Sequence, residues 1–64
     1  MWTPIQLLNV EYSTAINKFI ANYEISGETG HIAAQFYYSQ EPTAEQIQQD
    51  AENYALGLNA RDQL

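Results

Sequence analysis

The chain predicts a small α+β domain. Two apolar-alternating segments flank a Gly-rich bend, and a capped amphipathic helix follows them. From Thr43 the signals are helical. Thr43 is a good N-cap, Gln46 three residues on completes a capping box, and Pro42 blocks any helix before them. Ala44, Ile47, Ala51, Tyr54, Ala55 and Leu58 form one apolar stripe, with Glu45, Gln48, Gln49 and Glu52 opposite. Gly57 and Asn59 read as stop signals, so the helix is expected over 44–58, with Arg61 near its negative end.

The central segments read as an antiparallel hairpin over 16–26 and 31–39. Phe19, Ala21, Tyr23 and Ile25 alternate with Lys18, Ile20, Asn22 and Glu24. Ile32, Ala34, Phe36 and Tyr38 alternate with His31, Ala33, Gln35 and Tyr37. A four-residue loop, Gly27-Glu28-Thr29-Gly30, pairs Ser26 with His31 and sets Ile25 against Ile32, Tyr23 against Ala34, Ala21 against Phe36 and Phe19 against Tyr38. A loop one residue longer would turn one apolar set to the wrong face.

A third strand is expected over 6–14, with Leu8, Val10 and Tyr12 alternating against Asn9, Glu11 and Ser13. Thr3-Pro4-Ile5-Gln6 carries the marks of a helix start and suggests a short turn before it. The apolar phase is even through Val10 and Tyr12 and odd from Phe19, which calls for a bulge or turn near Ser13-Thr14-Ala15. A competing helix over 4–25 uses the helical recurrence of Ile5, Leu8, Tyr12, Ala15 (or Ile16), Phe19 and Tyr23. The β-branched and polar cluster around Val10 to Thr14 opposes it. In the expected packing, Ile47, Ala51, Tyr54 and Leu58 meet Phe19, Tyr23, Ile32, Phe36 and Tyr38.

Sixty-four residues make one domain. So short a chain hides only about 60% of the surface that it exposes when unfolded. It has no cysteine and one histidine, which excludes disulfides, thiolate metal sites and multi-His sites. Eight acidic residues against Lys18 and Arg61 give a charge of −6. That balance opposes nucleic acid and anionic membranes and favours a basic partner surface. The start has no signal-peptide pattern, no apolar run approaches the ~20 residues of a membrane span, and a cytoplasmic location is expected, in a cell or an infected host cell.

Ile20-Ala21, Ile25-Ser26 and Thr29 resemble the helix-turn-helix pattern of DNA-binding repressors over about twenty residues. The chain departs from that pattern. Glu24 replaces the usual turn glycine, Gly30 stands where the recognition helix takes an apolar residue, and no Lys or Arg lies between Ala21 and Ala60.

No catalytic set is legible. His31 has no nucleophile and acid beside it in sequence, Asp50 and Glu52 do not face each other on a helix, and no phosphate, Ca²⁺ or Zn²⁺ motif occurs. The expectation is no enzyme, cofactor or metal. The expected activity is protein binding, through Ile20, Glu24, Glu28, Tyr37, Glu41, Glu45 and Glu52. The acids would dock on a basic or nucleic-acid-binding surface of a partner protein, as an inhibitor would. Size, acidity and the lack of a catalytic set are shared by analogy with inhibitors from phages and mobile elements.

Each feature has a plainer reading. Glu41 and Glu45 favour a helix N-terminus, and solvated acids keep small proteins in solution. Exposed Ile16, Ile20 and Tyr37 would mark an interface on the open sheet face, unless Trp2, Ile5 and Leu7 fold over it. The alternative function is a self-associating structural subunit. It would form a homodimer through the sheet face or through the edge from Ile32 to Tyr38, which carries no proline and no charge.

Overall fold

A computed structural model describes residues 1–62. It contains strands β1 (Thr3–Ser13), β2 (Lys18–Gly27) and β3 (Gly30–Tyr38), then helix α1 (Ala44–Asp62). The sheet is antiparallel in the order β1-β2-β3, so β2 is central and β1 and β3 are edges.

The hairpin register is the one that the apolar pattern demands. Ile25 faces Ile32, Tyr23 faces Ala34, Ala21 faces Phe36 and Phe19 faces Tyr38. Pairing runs one step further than expected, to Gly27 opposite Gly30, so the turn is the two residues Glu28 and Thr29. Gly30 has φ 144°, a conformation that glycine accepts and L side chains rarely adopt. Because Gly30 carries that backbone, the loop closes tighter while the register is kept.

β1 begins at Thr3, not near residue 6, and no helical turn precedes it. Thr3-Pro4 is extended and pairs with Ser26 and Ile25. Proline suits an edge strand, where its missing N–H need not cost a ladder bond. Two irregularities follow. They leave Ile5 and Leu8 without direct partners between Pro4 and Gln6 and between Leu7 and Asn9. The bulges therefore sit in the first half of the strand, and the phase change near Ser13 needs none. Residues 14–17 form a four-residue turn with Asn17 at φ 54°. An even-length turn between antiparallel strands reverses odd and even by itself. This turn also removes Ile16 and Asn17 from β2, which starts at Lys18.

The residues expected to be strand or helix over 4–25 are thus extended on both sides of a turn. The helix-turn-helix resemblance falls with the helical reading, because Ile20 to Thr29 runs along β2 into a hairpin. β-branched and aromatic residues at period two outweigh the local helical recurrence.

α1 starts as expected. Thr43 Oγ1 accepts from the Gln46 N–H at 3.2 Å, and Gln46 Oε1 accepts from the Thr43 N–H at 3.0 Å. It continues four residues beyond the expected end at 58, through Gly57 and Asn59 to Asp62. The stop signals are overridden by tertiary bonds. Asn59 Oδ1 accepts from the Trp2 N–H at 2.5 Å, Asn59 Nδ2 donates to the Trp2 carbonyl at 3.1 Å, and Trp2 Nε1 donates to Asp62 Oδ2 at 2.8 Å.

The helix covers one face of the sheet. Ala21, Tyr23, Ile25 and Ala34 meet Ile47, Ala51 and Ala55 in the core, with Trp2, Ile32, Phe36, Tyr38 and Leu58 packed around them. The expected helix contacts of Ile47, Ala51 and Leu58 hold, and Tyr54 stands edge-on to Phe36 at 5.8 Å, half exposed. Phe19 is the exception. It lies outside the core and packs edge-on against Tyr12 at 4.9 Å. Small side chains at Ala21, Ala34, Ala51 and Ala55 let helix and sheet approach closely over β2 and β3, whereas Leu7, Val10 and Tyr12 of β1 stay exposed.

Candidate functional site

The open face of the sheet is built from the residues of β2 that alternate with its core set. Directly paired strand residues share a face. Four rows therefore cross it: Glu11, Ile20 and Tyr37; Asn9, Asn22 and Gln35; Gln6, Glu24 and Ala33; and Thr3, Ser26 and His31. Trp2 and Leu7 do not fold over it, since Trp2 packs against the core and Leu7 pairs with Tyr23 on the helix side. Nor is it an apolar patch. Ile16 belongs to the turn, Ile20 is half-buried, and Tyr37 is exposed with its hydroxyl donating to Gln35 Oε1 at 3.0 Å.

Amides dominate this face. Asn22 Nδ2 donates to Asn9 Oδ1 at 2.6 Å, and Gln35 Nε2 donates to Asn22 Oδ1 at 3.0 Å. With Tyr37 they form one directed chain of hydrogen bonds across all three strands. The link from Asn22 to Asn9 was not legible without the β1 register, although Asn9 alternates with Leu8 and Val10 as an outward residue should. Gln6 Nε2 donates to Glu24 Oε1 at 3.0 Å, and His31 Nδ1 lies 3.5 Å from Glu24 Oε2.

The seven residues expected to bind a partner do not form one site. Ile20, Glu24 and Tyr37 are on the open face. Glu28 is in the hairpin turn, where the Met1 amino group 2.9 Å away holds its carboxyl below the usual range, first by hydrogen bonding and then by charge. Glu41 is exposed in the connection from β3 to α1. Glu45 and Glu52 lie on the outer side of α1, where with Gln48 and Gln49 they line a shallow groove. The helix separates that groove from the open sheet face, so one flat partner surface cannot touch both.

Among the described residues the Met1 amino group forms an ion pair with Glu28, and the His31 ring lies beside the Glu24 carboxylate. Lys18 Nζ donates to Ser39 Oγ at 3.3 Å, and among the described residues neither Lys18 nor Arg61 pairs with a carboxylate. The charge of −6 is therefore uncompensated at Glu11, Glu41, Glu45 and Glu52. No group of three or more His, Cys, Asp or Glu side chains is placed to hold a metal among the described residues. Among the described residues no helix is long and apolar enough to cross a membrane.

The edges differ from each other. β1 carries Pro4 and two bulges, whereas β3 pairs without interruption from Gly30 to Tyr38 and has neither. Fold and surface together define a small α+β domain with an acidic helix, a polar sheet face and one smooth free edge. None of the protein-family models, characterised proteins and solved structures compared with the chain matches it.

Proposed function

We propose that this chain is a protein-binding module that docks the outer side of α1 on a basic surface of a partner protein. A surface that otherwise receives nucleic acid is the natural target. The observation that supports this reading is the run of uncompensated carboxylates at Glu41, Glu45 and Glu52, with no Lys or Arg side chain paired to them. Such a field steers a basic partner in and repels polyanions. Gln48 and Gln49 between the acids supply hydrogen-bonding groups for register. The helix is held from behind by its core contacts, so the outer side is presented rigidly. Glu24, Glu28, Ile20 and Tyr37, on other surfaces, are not part of this contact.

The test is capture of partners from native lysate with mass-spectrometric identification, at low and high salt, beside a Glu45→Lys/Glu52→Lys variant. The expected result is a basic protein held at low salt and released at high salt, because screening acts on exposed charge. The variant should lose it. A partner retained by the variant, or at high salt, overturns the reading.

A further inference from the structure

We infer that two copies of this chain pair through their β3 edges, antiparallel, with Ala34 opposite Ala34 of the second copy, to make one six-stranded sheet. The inference rests on the β3 edge and not on the acidic helix surface.

Gly27 and Gly30 face each other across a two-residue turn, and such a closing pair is hydrogen-bonded. Alternation along the ladder then makes Ile32, Ala34, Phe36 and Tyr38 bond to β2. His31, Ala33, Gln35 and Tyr37 point their backbone N–H and C=O groups away from β2, towards open solvent. An unpaired row of this kind is a template for another strand.

Self-pairing about Ala34 sets His31 against Tyr37 and Ala33 against Gln35 of the other copy, and the reverse. All four outward residues are used. Shifting the register by one step opposes Tyr37 to Thr29, a turn residue, or His31 to Ser39, a bend residue. On the helix side the favoured register places Ile32 beside Phe36 of the second copy, an aromatic and β-branched pair. Both are only half-buried in one chain and border the core.

Charge selects the same place. Two molecules of charge −6 repel each other, yet no carboxylate occurs from Gly30 to Gln40. β1 offers no rival edge, because Pro4 and the bulges at Ile5 and Leu8 interrupt its outer row.

The test combines light scattering from micromolar to millimolar concentration with amide exchange measured by NMR on the full chain. The apparent mass should rise from 7.3 kDa to twice that. Added salt should strengthen the pair by screening its net repulsion, whereas docking on a basic partner weakens with salt, so the two ideas fail separately. Amide protons of His31, Ala33, Gln35 and Tyr37 should gain protection as concentration rises. Ala33→Pro, which removes one outward N–H, should remain at 7.3 kDa with an unchanged circular dichroism spectrum. Exchange on the unaltered chain decides the matter if that variant does not fold. A chain still monomeric at millimolar concentration in high salt overturns the inference. So does a dimer whose protected amides lie elsewhere, or an Ala33→Pro variant that folds and pairs like the parent.

Discussion

The Asn59 side chain bonds both backbone groups of Trp2, accepting from its N–H and donating to its carbonyl. These two residues tie the start of the sheet to the last turns of the helix, 57 positions apart. Asn59→Ala removes both bonds at once and leaves the part-buried Trp2 backbone unsatisfied. A loss of about 1–3 kcal/mol is expected. It should appear as a lower urea midpoint with an unchanged slope. An unaltered midpoint would show that the tie contributes nothing.

Gly27 lies against the ring of Trp2. A methyl group added there would come within 2.6 Å of the indole, far inside contact distance. Gly27→Ala should therefore push the indole outward, red-shift its fluorescence and destabilise the fold by about 1–3 kcal/mol. The single tryptophan makes the measurement specific.

Tyr38 donates its hydroxyl to Asp50 Oδ2 at 2.5 Å. Burial first, and the Asp50 carboxylate second, push its ionisation far above the ordinary value of 10.0. The neutral phenol is thus the folded form. Its stabilising contribution is complete below about pH 10, where the unfolded tyrosine is also neutral. It is lost as pH rises further, because only the unfolded chain then releases the proton. Absorbance titration at alkaline pH should show one tyrosine ionising only with unfolding. Tyr38→Phe should lose about 1 kcal/mol at neutral pH and abolish that step. A Tyr38→Phe titration identical to the parent's would refute the assignment.

Ile47 and Ile25 are the largest fully enclosed side chains, one on each side of the helix-sheet contact. Ile47→Ala should cost about 2–5 kcal/mol by the cavity it leaves. A domain of this size has roughly 3–10 kcal/mol in all. Thermal unfolding followed by circular dichroism should show a midpoint lowered by roughly 10–40 °C. Leu56→Ala, at an exposed helix position, should leave the melting curve almost unmoved.

Much of this architecture was legible because its signals are periodic. The alternation around Gly27 and Gly30 fixed the hairpin register, since a one-residue slip would bury Glu24 and expose Ile25. The capping box at Thr43 and Gln46 was readable for the same local reason. The helix end was not, because Gly57 and Asn59 normally stop a helix, and the partner that overrides them is Trp2, remote in sequence. The bulges at Ile5 and Leu8 also escaped, since Leu7 and Leu8 are chemically alike and only pairing with β2 chooses between them. For the candidate site, the residue types were visible but not their dispersal. Glu24 and Glu52 lie on opposite sides of the molecule because one strand row faces away from the helix, and composition holds no record of that.

The two extra residues in β1 carry a final consequence. Once the smooth edges of two chains have met, the outermost strands on both flanks are kinked ones. A third molecule finds no straight ladder to extend, so the bulges act as end-stops. In the proposed pair they would confine sheet growth to two chains and keep a sticky seam from propagating into a fibre.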